Sequence, residues 1–408
     1  MKEEDLIPHL FRTEFSKIAA VLCKHFGIGH LKVAEDIASD TFLAALEVWP
    51  RKGIPEKPIA WLYLVAKNKA KNHLSRKTVF KRKVLPGIEN DSEVISEITI
   101  DLSDNNITDS QLQMLFAICN PGISIEAQIG LALRILCGFG INEIADAFLS
   151  TKETINKRLY RAREKLRRTN MPIEVPSETE IDKRLETVLT TLYLLFNEGY
   201  YSESRDTVLR RDLCLEAMRL TRLLVENEFT SRPSADALLA LMCFHSSRFD
   251  ARLNEREEPV LYQDQDETLW NRELITYGGY YLNRASRGSK ISKYHLEAGI
   301  AYWHTIKADT AEKWETILGL FDQLLCLEYS PIAALNRTYA LSKVKGKAAA
   351  IEEAEKLGLT DNPFYHTLLG ELYTDLDNQK AMVCFQKALS LAKTITDKKL
   401  IQNRIDNL

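Results

Sequence analysis

Apolar residues recur at helical spacing almost from end to end, and strand-like alternation is scarce, so the chain reads as all-α. Glycine and proline fall mostly at segment edges. In a first block, residues 8–83, the pattern predicts helices over about Leu10–Phe26 and Leu31–Trp49, a loop over Pro50–Pro58 and a third helix from near Ile59. Along that third helix Trp61, Leu62, Leu64, Val65 and Leu74 can serve a core, while Lys67, Asn68, Lys71 and Asn72 can face a polyanion. A second block, 109–170, ends in a helix-turn-helix pattern. Ile141, Ile144, Ala145 and Phe148 mark a short helix, a turn follows at Leu149-Ser150, and a second helix opens at Thr151 or Lys152 on an inner stripe of Ile155, Leu159, Ala162 and Leu166. Residues 178–408 read as a series of helix pairs. Leu335-Asn336, Tyr339 and Ala348, then Leu369-Gly370, Tyr373, Ala381, Phe385 and Ala388, sit at tetratricopeptide-like offsets, and Pro331 and Pro363 are 32 residues apart against a repeat of roughly 34. Stacked pairs of this kind leave a concave face for a protein partner.

Charge divides the chain. The net −3 hides +4 over residues 1–170, with 25 Lys/Arg against 21 Asp/Glu, and −7 over the remainder. From Thr151 to Asn170 eight basic residues stand against Glu153 and Glu164, and from Trp61 to Lys83 there are eight and no acid. Between the blocks, 86–107 carries six acids and no base, which predicts a self-repelling flexible linker over 84–108. A basic helix is often only a solvated face. Here the short helix and tight turn ahead of it favour a major-groove reader, its N-terminal half near base edges and its cationic remainder near phosphates.

At 408 residues two or three domains are expected. No 18-residue uncharged apolar run is present, and the opening MKEEDLIPHLFRTEF is no signal peptide. Seven scattered cysteines without a CxxC pair predict reduced thiols in the cytoplasm rather than disulfides or zinc.

The arrangement resembles bacterial sigma factors of the extracytoplasmic-function class. AEDIASDTFLAALEVWP (34–50) resembles the region 2.2 helix that docks on the RNA polymerase clamp, and IAWLYLVAKNKAKNHLSRK (59–77) resembles regions 2.3 and 2.4, which open and read the −10 element. Residues 124–168 resemble region 4, which reads −35. RLETVLTTLYLLFNEGY (184–200), RRDLCLEAMRLTRLL (210–224), LYQDQDETLWNRELI (261–275) and SPIAALNRTYAL (330–341) are similar to the subfamily with a C-terminal tetratricopeptide-like extension. The resemblance implies sigma regions 2 and 4 at 8–83 and 109–170. It implies as partners the polymerase core, through its clamp and flap, and promoter DNA. It requires no catalytic residue, cofactor, metal or membrane. Where the family often has Gln before the region 2.2 acid, this chain has Ser39, while Asp36, Asp40 and Phe42 match. The expected sites follow: Asp36, Ser39, Asp40 and Phe42 toward polymerase; Lys52, Trp61, Lys67, Asn68, Lys71 and Asn72 toward −10 DNA; Lys152, Glu153, Thr154, Lys157, Arg158 and Arg161 toward −35 DNA. The Trp61 indole is expected in the core rather than against a base.

Other features read blandly. Asp264-Gln265-Asp266 is expected to cap a helix over Thr268–Ala285. His295 and His304 share a helix nine residues apart, without zinc spacing. Asn197-Glu198-Gly199-Tyr200 reads as a helix end with glycine as the breaker. A stand-alone helix-turn-helix regulator with a helical-repeat sensor is the competing function, and it leaves 31–77 unexplained. An enzyme in 180–408 lacks a nucleophile–base pair, metal cluster or phosphate loop.

Overall fold

The structure is a computed structural model that describes residues 3–84, 100–148, 150–169, 173–200, 210–254, 260 and 262–408. Leu149 of the expected turn, the 85–99 part of the acidic linker and residues 170–172 lie outside the described residues. Those described are overwhelmingly helical, with no strand among them. They divide into two compact units, Met1–Leu194 and Leu195–Leu408.

In the first unit, α1 spans Glu3–Phe26, α2 Leu31–Lys52 and α3 Pro58–Val84. Helix α1 begins seven residues ahead of the expected Leu10 and runs through Pro8, whose missing amide falls in its opening turns. Phe15, Ile18, Ala19 and Leu22 bury its inner stripe. Helix α2 continues past Trp49 and ends where Gly53, at φ 83°, donates its amide to the Trp49 carbonyl at 2.9 Å. That positive φ is one that glycine adopts without penalty. Pro58 opens α3 at a position that needs no amide donor, so the loop shortens to 53–57. Leu62, Ala66 and Ala70 fill the core, whereas Leu64, expected there, is exposed.

The second block holds α4 (Asp104–Ile118), α5 (Ile125–Leu131) continued by a π-helical turn over Ala132–Leu136, α6 (Ile141–Ala147) and α7 (Lys152–Thr169). Residues 100–108, expected in the flexible tether, are ordered instead. Ile100 and Leu102 are buried, and Asp101 accepts the Ser103 amide at 2.9 Å just ahead of α4. Apolar anchoring thus overrides the local charge. Helix α8 (Glu178–Tyr200) carries the unit boundary. Its first turns, expected to open the C-terminal extension, belong to the first unit: Arg184 donates to the Phe116 carbonyl at 2.6 Å and Thr191 to Gln128 Oε1 at 2.8 Å. The helix runs through Gly199 rather than stopping on it. A Cβ there would lie 2.8 Å from the Arg210 carbonyl oxygen, so this glycine serves close packing.

The second unit continues with α9 (Arg211–Glu226), α10 (Pro233–Ser246), α11 (Arg272–Ala285), α12 (Lys293–Trp303), α13 (Ala311–Leu327), α14 (Pro331–Lys345), α15 (Lys347–Leu357), α16 (Pro363–Tyr373), α17 (Asn378–Leu391) and α18 (Ile395–Asp406). From α13 onward each helix packs on the next, and α14 also meets α16. Side chains of Ser330, Asn362 and Asp377 cap α14, α16 and α17. In the later repeat Leu369, Ala381, Phe385 and Ala388 are buried, while Tyr373 is half-buried. In the earlier one Ala348 is exposed and Ala350 takes the inner position. Asp266 caps a 3-10 turn, Glu267–Leu269, and Asn271 caps α11, so the helix expected from Thr268 starts four residues later. His304 ends α12 rather than lying within it. Among the described residues no helix is long and apolar enough to cross a membrane, and no group of three His, Cys, Asp or Glu could hold a metal.

Candidate nucleic-acid interface

Helix α2 presents Asp36 and Asp40 to solvent one turn apart, with Ser39 half-buried beside them. Phe42, expected on the same surface, is 3% exposed and packs edge-on against Phe11 with ring centres 5.0 Å apart. Its place is the floor of an apolar notch of about 350 Å³, walled also by Pro8, Phe11, Ser39, Leu43 and Leu46. Leu43 and Leu46 are more than half exposed, and sequence reasoning missed them. The visible signal was two leucines on the polar side of an amphipathic helix, which points to a surface meant to be covered.

Helix α3 carries Asn68, Lys71 and Asn72 exposed and Lys67 half-exposed, with Lys52 exposed at the end of α2. Trp61 is half-buried edge-on to Trp49 at 5.5 Å, fastening α3 to α2. The Tyr63 hydroxyl donates to Glu14 Oε2 at 2.6 Å, fastening α3 to α1. The side chains of Lys77, Lys81, Arg82 and Lys83 lie outside the described residues.

Helix α7 buries Ile155, Leu159, Ala162 and Leu166, the stripe its periodicity predicts. Lys152, Glu153, Thr154, Lys157 and Arg161 are exposed. Arg158 is half-buried, its guanidinium 5.7 Å from the Phe148 ring centre. The Thr154 amide donates to Thr151 Oγ1 at 3.2 Å, capping the helix. Ser150 donates its amide to the Ala145 carbonyl at 2.9 Å, which holds the chain between α6 and α7. A helix start crowded with cations, standing clear of its own core, is suited to a polyanion.

The structure adds a residue that sequence reasoning passed over. Glu35 is 5% exposed and receives Arg134 Nε at 3.2 Å and Arg163 NH2 at 2.9 Å. Burial pushes its carboxyl upward, and the Arg163 and Arg134 guanidiniums pull against that shift. Arg163 belongs to α7 and Glu35 to α2, so the two cationic blocks are joined. Arg12 meets Glu143 at 2.6 Å, Lys24 donates to Asn106 at 3.0 Å and Gln111 to Ser16 at 3.3 Å along the same seam. An acid on the buried stripe of α2, between Leu31 and Ala38, was the signal in the sequence.

Residues 10–79 match sigma-70 region 2, and residues 184–286 match a family of unknown function (DUF6596). An uncharacterized protein, R00370, of Rhizobium meliloti (strain 1021) is 35% identical over 387 residues, covering 93% of this chain and 90% of its own length. No solved structure matches.

Proposed function

We propose, on the premise that this chain belongs to the sigma-70 family and to one family with the Rhizobium meliloti protein, that it is a sigma factor of the extracytoplasmic-function class. It directs RNA polymerase to specific promoters in the cytoplasm. The observation that carries this reading is the match of residues 10–79 to region 2, on the block whose outer face holds Lys52, Asn68, Lys71 and Asn72.

In this reading Asp36, Ser39 and Asp40 meet a basic polymerase surface, and the notch at Leu43 and Leu46 takes an apolar side chain of the clamp. The α3 face draws in the −10 strand, with lysines on the backbone and amides near an unstacked base. Helix α7 reads −35 with Lys152, Glu153, Thr154, Lys157, Arg158 and Arg161, and each good bidentate base contact contributes about 1–3 kcal/mol of discrimination. The two elements lie about 25 base pairs apart, roughly 85 Å at 3.4 Å per pair. Blocks joined through Glu35 must therefore part before both are read. The tetratricopeptide-like extension regulates in cis, its acidity complementing the basic front, and offers its helical repeats to a protein partner. A stand-alone regulator would leave the region 2 block without a task.

The experiment mixes the purified chain with core polymerase and measures binding and transcription from a cognate promoter. Absence of core binding rejects the reading. Replacing Lys71 and Arg158 together by Ala should lower promoter-dependent initiation about a hundredfold and flatten the salt dependence of DNA binding by about two. Removing residues beyond Leu194, which keeps the α8 contacts to Phe116 and Gln128, assigns the extension. Gained transcription means inhibition, lost transcription means a required part, and unchanged transcription defeats control in cis.

A further inference from the structure

The interior of the second unit gathers cations around one ring. Tyr262 stands in a 3-10 turn, Tyr262–Asp264. The Arg248 guanidinium lies 5.4 Å from its ring centre and Lys313 Nζ 5.1 Å from the same point. His304 meets the ring edge-on at 5.2 Å and Trp270 stacks on it at 6.3 Å. Arg248 is 8% exposed and Lys313 is 1% exposed. Lys313 donates to the Tyr262 hydroxyl at 3.0 Å and to the Ile306 carbonyl at 2.5 Å.

Buried cations are ordinarily paired. Arg284 of the same unit obeys that rule: it forms an ion pair with Asp236 and donates to the Val225 carbonyl and the Ser231 hydroxyl. Arg248 does not. Its Nε is buried with no partner, and among the described residues no carboxylate lies within ion-pair distance of Arg248 or Lys313. Trp270 Nε1, a further donor beside the ring, is also buried without a partner. Asp309, the acid whose charge acts on Lys313, is also engaged by Trp314 Nε1 and Lys343. Contact with an aromatic face returns only part of the hydration that a guanidinium gives up on burial. Burial, with Arg248 alongside, lowers the basicity of His304, and burial lowers that of Lys313 although the Asp309 carboxylate opposes the shift. An open cleft of about 570 Å³, walled by Glu267, Arg272, Thr305, Ile306, Lys307 and Ala308, meets the cluster through Ile306, whose carbonyl accepts from Lys313. Two buried donors without acceptors, Arg248 Nε and Trp270 Nε1, describe a site whose missing partner is an acceptor.

We propose that Arg248 and Lys313, converging on Tyr262, form a binding site for a small oxyanion, the phosphate or carboxylate group of a soluble molecule. The site lies wholly within the second unit and stands or falls independently of the sigma-factor reading.

The test follows thermal unfolding of the full chain in rising sodium phosphate, and separately in sodium acetate, each against sodium chloride of equal ionic strength. A saturable gain is expected. At ten times the half-saturating concentration the folding equilibrium should shift about elevenfold. The anion with the lower half-saturation names the head group. Arg248→Met should abolish the gain while leaving the unfolding temperature in chloride equal or higher, because it removes an unpaired buried charge. Should that variant not fold, anion-dependent protection from hydrogen exchange at 245–251 and 304–314 in the unaltered chain carries the test. No saturable gain with either anion overturns the proposal, as does a gain that Arg248→Met retains.

Discussion

The two units place the same residue types in opposite surroundings. In the first, Lys71, Lys152, Lys157 and Arg161 stand in solvent on helices whose other face is core. In the second, Arg248 and Lys313 are inside, against Tyr262. Exposed cations of this kind wait for a polyanion and carry long-range attraction that salt weakens. Enclosed ones hold a stored desolvation penalty that a small, specific ligand relieves. Charge content therefore says little about which kind of partner a region takes, whereas the depth at which the charge is held says much.

The largest effect expected from this contrast is a difference in response to acid. Burial, together with Arg248 and other neighbouring cations, lowers His304 to about 3 and His245 well below its ordinary value. Both are therefore neutral when folded, while the unfolded chain takes up their protons below about 6.5. Their contribution is complete above that pH and is lost as pH falls, for His304 at about 1.4 kcal/mol per pH unit until pH nears 3. From His304 alone the second unit should lose about 2 kcal/mol between neutrality and pH 5, measured by denaturant unfolding. His304→Phe should flatten the slope, and an unchanged slope would remove the buried-cation environment from the account.

A smaller effect tests packing in the helix pairs. A Cβ on Gly370 would sit 2.5 Å from the Phe385 ring, which is itself fully buried. Gly370→Ala should cost about 1–3 kcal/mol, lowering the unfolding temperature by several degrees, with DNA binding unaffected. The smallest effect concerns the seam of the first unit. Arg134 and Arg163 are each partly exposed and can rehydrate when released. Glu35→Gln should therefore raise promoter-DNA affinity of the free chain by roughly threefold to tenfold, the range of a single ordinary net hydrogen bond. Equal affinities in a titration would mean that the seam does not restrain α7.

Much of this was legible in the sequence because helical periodicity is set by burial. The stripe Ile155, Leu159, Ala162 and Leu166 went inside, and the cations between them stayed out, as spacing alone requires. What escaped were residues whose place depends on another segment. Phe42 matched a motif on an acidic face, yet its ring fills the space beside Phe11. Glu35 looked like one more surface acid until Arg134 and Arg163 arrived from about a hundred residues away. Residues 100–108 were acidic enough to predict a free tether, but Ile100 and Leu102 pinned them. The Tyr262 cluster draws on four separate segments, and no local pattern announces it.

The seam at Glu35 has a consequence for how the molecule answers its medium. Counter-ions bathe Lys71 and Arg161, and concentrating them erodes affinity for a polyanion steeply. They scarcely reach a carboxylate enclosed between two guanidiniums. Under the proposed reading, a cell that concentrates its electrolytes would loosen the outer grip and leave the inner latch fastened.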